Sequence, residues 1–146
     1  MVCFEPQKNI RKILTKNLTL NGIKNATILP YAIGSSIGLA TQSHSSTHNS
    51  GAVSVKESPQ GTIPLKTIDS LGLNPTFMKI DVEGYEEHVL VGAKATIEAH
   101  HPDIWIETFE RNFSRIDNLL KTMGYQKTLT LPGSNYLYES TNRKQN

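Results

Sequence analysis

The stretch Phe77-Met78-Lys79-Ile80-Asp81-Val82-Glu83-Gly84 constrains this chain more than any other. Phe77, Met78, Ile80 and Val82 give it the apolar character of an interior strand covered on both faces. The run then stops on two carboxylates and a glycine. Gly84 can take backbone angles that other residues avoid, so a sharp turn is expected there. From Tyr85 the spacing becomes helical. A strand that turns directly into a helix belongs to an α/β sheet, and in open sheets ligands bind outside the carboxyl ends of the strands. Asp81 and Glu83 are therefore the first candidate site residues.

The other elements fit around that strand. Val2-Cys3-Phe4 reads as a short strand running into Glu5-Pro6. Ile10, Ile13, Leu14 and Leu18 follow the spacing of one buried helix face, and Asn21-Gly22 stops the helix. Ala26 to Leu29 reads as the next strand, ending at Pro30-Tyr31-Ala32. Strand, helix, strand with short connections predicts a parallel pair. Ile33 to Gln42 reads as a turn and a small extended segment. Ser43 to Ser50, rich in Ser, Thr, His and Asn, reads as an exposed loop. Residues 51–55 and 62–65 read as short extended pieces, followed by one or two helical turns at Leu65, Ile68 and Leu71.

After the organising strand, Tyr85, Val89, Leu90, Ala93 and Ile97 hold a helical period that Gly92 interrupts with a kink or a close contact. Asp103 to Glu107 is a second apolar strand ending in a carboxylate. Phe113, Ile116, Leu119, Leu120 and Met123 form an amphipathic helix stopped at Gly124. Tyr125 to Leu131 and Asn135 to Glu139, split by Pro132-Gly133, read as a closing antiparallel hairpin. The expectation is one α/β domain over residues 1–139, a mostly parallel sheet with an antiparallel end, and a polar tail at 140–146.

Charge and cysteine content narrow the function classes. Net charge is only +2 over 146 residues. No dense basic run precedes Arg143-Lys144, so neither a nucleic-acid nor an anionic-membrane partner is expected. No apolar run approaches the ~20 residues that span a bilayer. Cys3 is the only cysteine, which excludes an internal disulfide and a Cys-based zinc site and makes a reducing, cytoplasmic setting the default. His44 and His48 have the spacing of two ligands on one helix face. Their segment is a poor helix with no third ligand, so solvated histidines and no metal are expected.

Each candidate site residue has two readings. Glu5, at a strand end, can accept hydrogen bonds from both hydroxyls of a ribose, or simply sit near a helix N-terminus where negative charge is favoured. Asp81 and Glu83 share a face of an extended strand. If both enter one crevice, repulsion raises one pKa towards the range of a general base. The competing reading has Asp81 holding the loop and Glu83 capping the helix after Gly84. Glu107 reaches the same crevice from the neighbouring strand or is only a strand-end carboxylate. His88 is expected to face solvent.

Phe4-Glu5-Pro6, Asn17 to Gly22, Tyr31-Ala32-Ile33-Gly34, Lys79 to Gly84, Gly92-Ala93, Pro102 to Glu107 and Gly133 to Leu137 occur in an order and spacing that resembles the FkbM-type S-adenosylmethionine-dependent methyltransferases. The resemblance covers nearly the whole chain. It implies a Rossmann-like class I methyltransferase fold and methyl transfer from S-adenosylmethionine, commonly to a hydroxyl of a sugar or another small molecule. It places the ribose on Glu5, with Pro6 beside it, and adenine against Tyr31 to Gly34, Tyr31 and Ala32 foremost. It sets Asp81, Glu83 and Gly84 before the methyl group and the acceptor, Asp81 counting for both cofactor and catalysis. The family's first strand and glycine-rich turn have no counterpart here; the missing strand would lie between those at Glu5 and Asp81. The chain is therefore expected to be a fragment or truncated product, or to be completed by self-association or another chain. A non-catalytic module that has lost its cofactor is the alternative. A dinucleotide-binding domain is a third reading, which the absent G-x-G-x-x-G turn counts against.

Overall fold

Ten strands, four α-helices and one 3-10 turn alternate along the residues described, 1–44 and 53–142, in a computed structural model of the chain. Strand β1 (Val2–Phe4), helix α1 (Lys8–Leu20) and strand β2 (Thr27–Leu29) form the expected unit, with β1 and β2 parallel and Val2 opposite Thr27. The helix differs from expectation. None of its residues is buried, and Ile10 and Ile13 are 38% and 56% exposed. Among the described residues β1 and β2 pair only with each other. Two strands of three residues present a patch roughly 10 Å on a side, and a 13-residue helix is roughly 20 Å long. The apolar face of α1 outruns its support.

The middle of the chain makes a separate mixed sheet. Its strands are β3 (Ala32–Ile33), β4 (Gly38–His44), β5 (Val53–Glu57) and β6 (Ile63–Lys66), in the order β3-β6-β4-β5. Only β3 and β6 run parallel. Ala32, Ala40, Ile63 and Leu65 form a small core of their own beneath Val55. Ser43 and His44 complete β4 rather than opening a loop. Residues 45–52, with His48 and the start of the extended piece expected at 51–55, lie outside the described residues.

The third sheet carries the main core. Its strands are β7 (Phe77–Ile80), β8 (Asp103–Glu107), β9 (Tyr125–Leu131) and β10 (Asn135–Ser140), in the order β7-β8-β10-β9. The β7–β8 pair is parallel and the other two pairs are antiparallel, as the hairpin reading requires. Ile104 and Ile106 alternate inward from β8 with no exposed surface. They meet Leu90, Ile97, Ile116, Leu120 and Tyr138. Those residues come from α2 (Glu86–Val91), α3 (Lys94–His100), α4 (Glu110–Thr122) and the hairpin.

Two sequence expectations are corrected here. The sheet is not one mostly parallel sheet: three pairings are parallel and four antiparallel, in three separate sheets. The turn-rich middle folds back on itself by antiparallel pairing, which short connections allow and parallel pairing does not. Strand β7 is also not covered on both faces. It pairs only with β8 among the described residues, Phe77 is 51% exposed, and only Ile80 of the strand is buried.

Gly92 divides what reads as one helix into α2 and α3. A Cβ there would lie 1.9 Å from the Gly34 carbonyl oxygen, so α2 ends in direct contact with the backbone that follows β3. Helix α3 has no cap from its own flanking residue. The Asp69 carboxylate, from the 3-10 turn Asp69–Leu71, accepts the Ala95 and Thr96 N–H groups at 3.1 and 2.8 Å instead. It satisfies donors that a helix start otherwise leaves unpaired.

Candidate functional site

Strands β1 and β7 end at the same opening. A cleft of about 310 Å³ is walled by Glu5 and Pro6 after β1, Tyr31 and Ala32 at β3, and Asp81 and Glu83 after β7. The two carboxylates expected at one edge of a single sheet thus follow strands of different sheets, yet they line one cleft. Of the residues that the sequence nominated for cofactor contact, Glu5, Pro6, Tyr31, Ala32, Ile33 and Asp81 lie on its wall, and Gly34, at the end of the turn expected against adenine, does not.

Glu5 satisfies part of both its readings. Its Oε1 accepts the Gln7 N–H at 2.7 Å, which ties it to the start of α1. Its Oε2 has no hydrogen-bond partner among the described residues. Arg11 braces the same turn from within the helix, donating to the Glu5 and Pro6 carbonyls at 2.9 and 2.6 Å.

A second cleft, of about 270 Å³, adjoins the first and shares Asp81 and Glu83 with it. Glu86, Glu107, Thr108 and Phe109 complete most of its wall. Glu107 therefore does reach the crevice of Asp81 and Glu83. The extended-strand argument for that pair does not hold, because β7 ends at Ile80 and Glu83 has φ 50. A non-glycine residue there is strained. The chain turns through Glu83 and then Gly84, φ 95, and the Tyr85 N–H closes the turn on the Val82 carbonyl at 3.2 Å. A turn, not strand alternation, brings both carboxylates to the clefts.

Their electrostatics differ. Partial burial, and then the charges of Asp81, Glu107 and Glu86, push the Glu83 carboxyl above its ordinary value. Asp81 is paired with Lys79 at 2.8 Å, with both side chains about half exposed. An exposed pair of this kind is worth about 0–1 kcal/mol. Glu83 does not cap α2, which has no side-chain cap. The Gly84 N–H instead donates to Glu86 Oε1 at 2.6 Å, and the Thr108 hydroxyl donates to Glu86 Oε2 at 3.3 Å.

Tyr85, at the start of α2, ties that helix to the end of β5 outside the two clefts. It is buried, and its hydroxyl donates to Glu57 Oε1 at 3.2 Å, where the Ser35 hydroxyl also donates. Burial first, and then the Glu57 charge and hydrogen bond, raise the phenol to about 12. Exposed His88 stacks on the Tyr85 ring at 4.0 Å. Glu86, on the wall of the second cleft, was not visible as a site-shaping residue in the sequence. The only available signal for Glu86 was its place in a helical first turn, where acidic residues are common. Among the described residues no group of three metal-ligating side chains is placed to hold an ion. None of their helices is long and apolar enough to cross a membrane.

The fold defines an α/β domain with mixed sheets, in which the ends of β1 and β7 converge on one cleft. The chain belongs to the FkbM methyltransferase family: the model of the methyltransferase FkbM domain matches residues 1–127. Among solved structures, methyltransferase FkbM from Methylobacillus flagellatus KT is similar in fold, with a TM-score of 0.63 at 22% identity. The match covers 94% of this chain but 36% of that one, so this chain spans well under half the length of its structural relative. No curated protein matches the chain.

Proposed function

We propose that this chain forms part of an S-adenosylmethionine-dependent methyltransferase that methylates a hydroxyl of a small molecule, with a sugar as the favoured class. The observation that carries the reading is the shared cleft, in which the end of β1 (Glu5) and the end of β7 (Asp81) meet beside Tyr31 and Ala32. The donor set fits the nucleoside half of the cofactor. Glu5 Oε2 is available to ribose hydroxyls, and Pro6, Tyr31 and Ala32 supply apolar surface for adenine. The bound cofactor would supply an electrophilic methyl group on a sulfonium.

The chain's own residues would then orient the acceptor and take its proton. Of the two candidate bases, Glu83 is favoured over Asp81. Its carboxyl is pushed above its ordinary value, first by partial burial and then by its acidic neighbours, which strengthens it as a base, whereas Lys79 already pairs with Asp81. A positioned base of this kind contributes roughly 10²–10⁴-fold. Asp81 sits on both clefts, and on this reading it would bridge the cofactor and the acceptor.

A second reading, a module that binds no cofactor, is favoured by one observation: β1 and β7 do not pair with each other, so the sheet is broken beside the cleft. The glycine-rich turn that the family resemblance places there would donate backbone hydrogen bonds to the methionine end. Each lost bond to a charged group costs roughly 1.5–3 kcal/mol. Two losses weaken binding roughly 10²–10⁴-fold. Titration calorimetry separates the readings. The chain alone should bind S-adenosylmethionine weakly, at millimolar levels. A version extended by a strand and glycine turn should bind far more tightly, and Glu5→Ala in it should weaken binding at least tenfold. No binding by the extended version, or indifference to Glu5→Ala, overturns the methyltransferase reading of this cleft. Tight binding by the chain alone would mean that the cradle is built from other residues.

A further inference from the structure

Glu86 is a carboxylate with 2% of its surface exposed, placed among three other carboxylates in the wall of the second cleft. Burying a charge beside like charges is costly unless strong hydrogen bonds compensate. Here the two compensating bonds go to two different turns: Oε1 to the Gly84 N–H at 2.6 Å and Oε2 to the Thr108 hydroxyl at 3.3 Å. Gly84 follows Glu83 in the strained left-handed turn. Thr108 follows Glu107, is itself 2% exposed, and donates its N–H to the Ser134 carbonyl at 3.1 Å. One buried carboxylate thus joins the turn after β7 to the turn after β8, and through Thr108 to the hairpin turn. Phe109 closes over the junction, and its ring would lie 3.6 Å from a Cβ at Gly84.

We infer that Glu86 is a positioning residue: its carboxylate clamps the Glu83–Gly84 turn to Thr108 and so holds Glu83 in the cleft facing Glu107. It touches no reacting atom. The consequence for catalysis rests on the methyl-transfer reading; the clamp itself does not.

The test needs no cofactor or acceptor. Glu86→Gln keeps an acceptor for the Gly84 N–H and can donate to the Thr108 oxygen, whereas Glu86→Ala removes both bonds. Two NMR readouts follow the clamp: hydrogen exchange of the Gly84 amide and the pH titration of the Glu83 carboxyl. In Glu86→Ala the Gly84 amide should exchange at least tenfold faster relative to β8 amides. The Glu83 carboxyl should titrate lower, as its turn loosens into water. Glu86→Gln should restore the slow exchange and most of the raised titration. Both variants remove the Glu86 charge, which itself raises the Glu83 carboxyl, so the clamp is read from the further fall in Ala relative to Gln. A merely structural role would lower the melting temperature, leave the Gly84 exchange as it is and shift the Glu83 titration equally in the two variants, which would overturn the inference. So would a Gln variant that behaves like Ala. If Glu86→Ala does not fold, Thr108→Val removes one arm of the clamp. It should speed Gly84 exchange about threefold or more, and unchanged exchange there would also overturn the inference. A chain that passes these tests but binds no S-adenosylmethionine in any form refutes the methyl-transfer reading and leaves the clamp standing.

Discussion

Gly92→Ala should damage this fold well beyond its single added methyl group. Gly92 has φ −77 and ψ −2, angles that alanine adopts without strain. On the backbone alone the substitution therefore favours folding, by roughly 0.4–1 kcal/mol through the unfolded state. Sterics oppose it. The new Cβ would lie 1.9 Å from the Gly34 oxygen, 3.0 Å from its carbonyl carbon and 3.3 Å from Ser35 Cα, all backbone atoms. Relief requires the two segments to part by more than an ångström. Neither is free to move. The Gly34 N–H donates to the Lys66 carbonyl at 2.9 Å, and the Gly92 carbonyl accepts the Asp69 N–H at 3.0 Å. Overpacking typically costs about 1–3 kcal/mol. With rigid backbone on both sides the upper end applies, for a net loss of about 2 kcal/mol after the backbone gain. For a chain of this size that lowers the melting temperature by about 4–8 °C. Gly38→Ala, where nothing lies within 4 Å, is the control and should stay within about 0.5 kcal/mol. Paired thermal melts followed by circular dichroism decide the matter. A Gly92→Ala protein that melts within a degree of wild type would show that the contact gives way cheaply, and the reasoning would fail.

Other expectations follow from the same geometry. The Glu83 carboxyl is raised above its unfolded value, so the stability tied to its protonated form is complete below about pH 4.5 and is lost as pH rises through the folded pKa. Glu83→Gln should therefore melt higher than wild type at pH 7 and equally at pH 3; a lower melt at pH 7 would contradict this. Tyr138 is fully buried and donates to Asp117 Oδ1 at 2.8 Å. Burial opposes the charge on Asp117, but hydrogen bonds from Lys121 and Tyr138 prevail and hold its pKa below 3.8. Its stability contribution is present above that value and lost as pH falls through the folded pKa. Tyr138→Phe should cost about 1–3 kcal/mol at pH 7 and less near pH 2, and a loss equal at both pH values would count against the pairing. The unpaired edges of β1 and β7 invite association, so sedimentation of the chain should show self-association that rises with concentration. A monomer at every concentration with a sharp cooperative melt would refute that.

Elements whose periodicity is their own were legible. Strand β8 alternates, α4 carries a clear apolar stripe, and Pro132-Gly133 marks the hairpin. What depended on a partner was not. The spacing of Ile10, Ile13, Leu14 and Leu18 says which face of α1 favours cover, not whether cover exists: Ile10 and Ile13 are exposed, and Leu14 and Leu18 are only half-buried. The pairing of β3 with β6, 33 residues apart at Ala32 and Leu65, leaves no local trace. In the candidate site, Asp81 and Glu83 were found because they end a strand. Their approach was misread because strand alternation was carried past Ile80 into a turn that only φ reveals. Gly92 signalled a break or a contact, and it is both. Glu86 beside Glu87 reads as ordinary first-turn charge, and nothing local distinguishes the member that is buried.

The β1–β2 pair, hydrogen-bonded to no other strand among the described residues and tied to the main core through Phe4, has a consequence for any ligand of the first cleft. A two-stranded sheet is marginal in water, and this one forms the Glu5 wall while the opposite wall, at Asp81, follows a strand paired to β8, whose Ile104 and Ile106 have no exposed surface. The cleft therefore spans a weakly supported part of the fold and a well-packed one. Undocking of the first 29 residues would remove the Glu5 wall and with it the competent state. The measured affinity is the intrinsic affinity scaled by the docked fraction. A ligand held by Glu5 would draw the undocked population across, and amide protection would rise throughout β1, α1 and β2, including amides far from any contact with the ligand, while β8 stayed as it was.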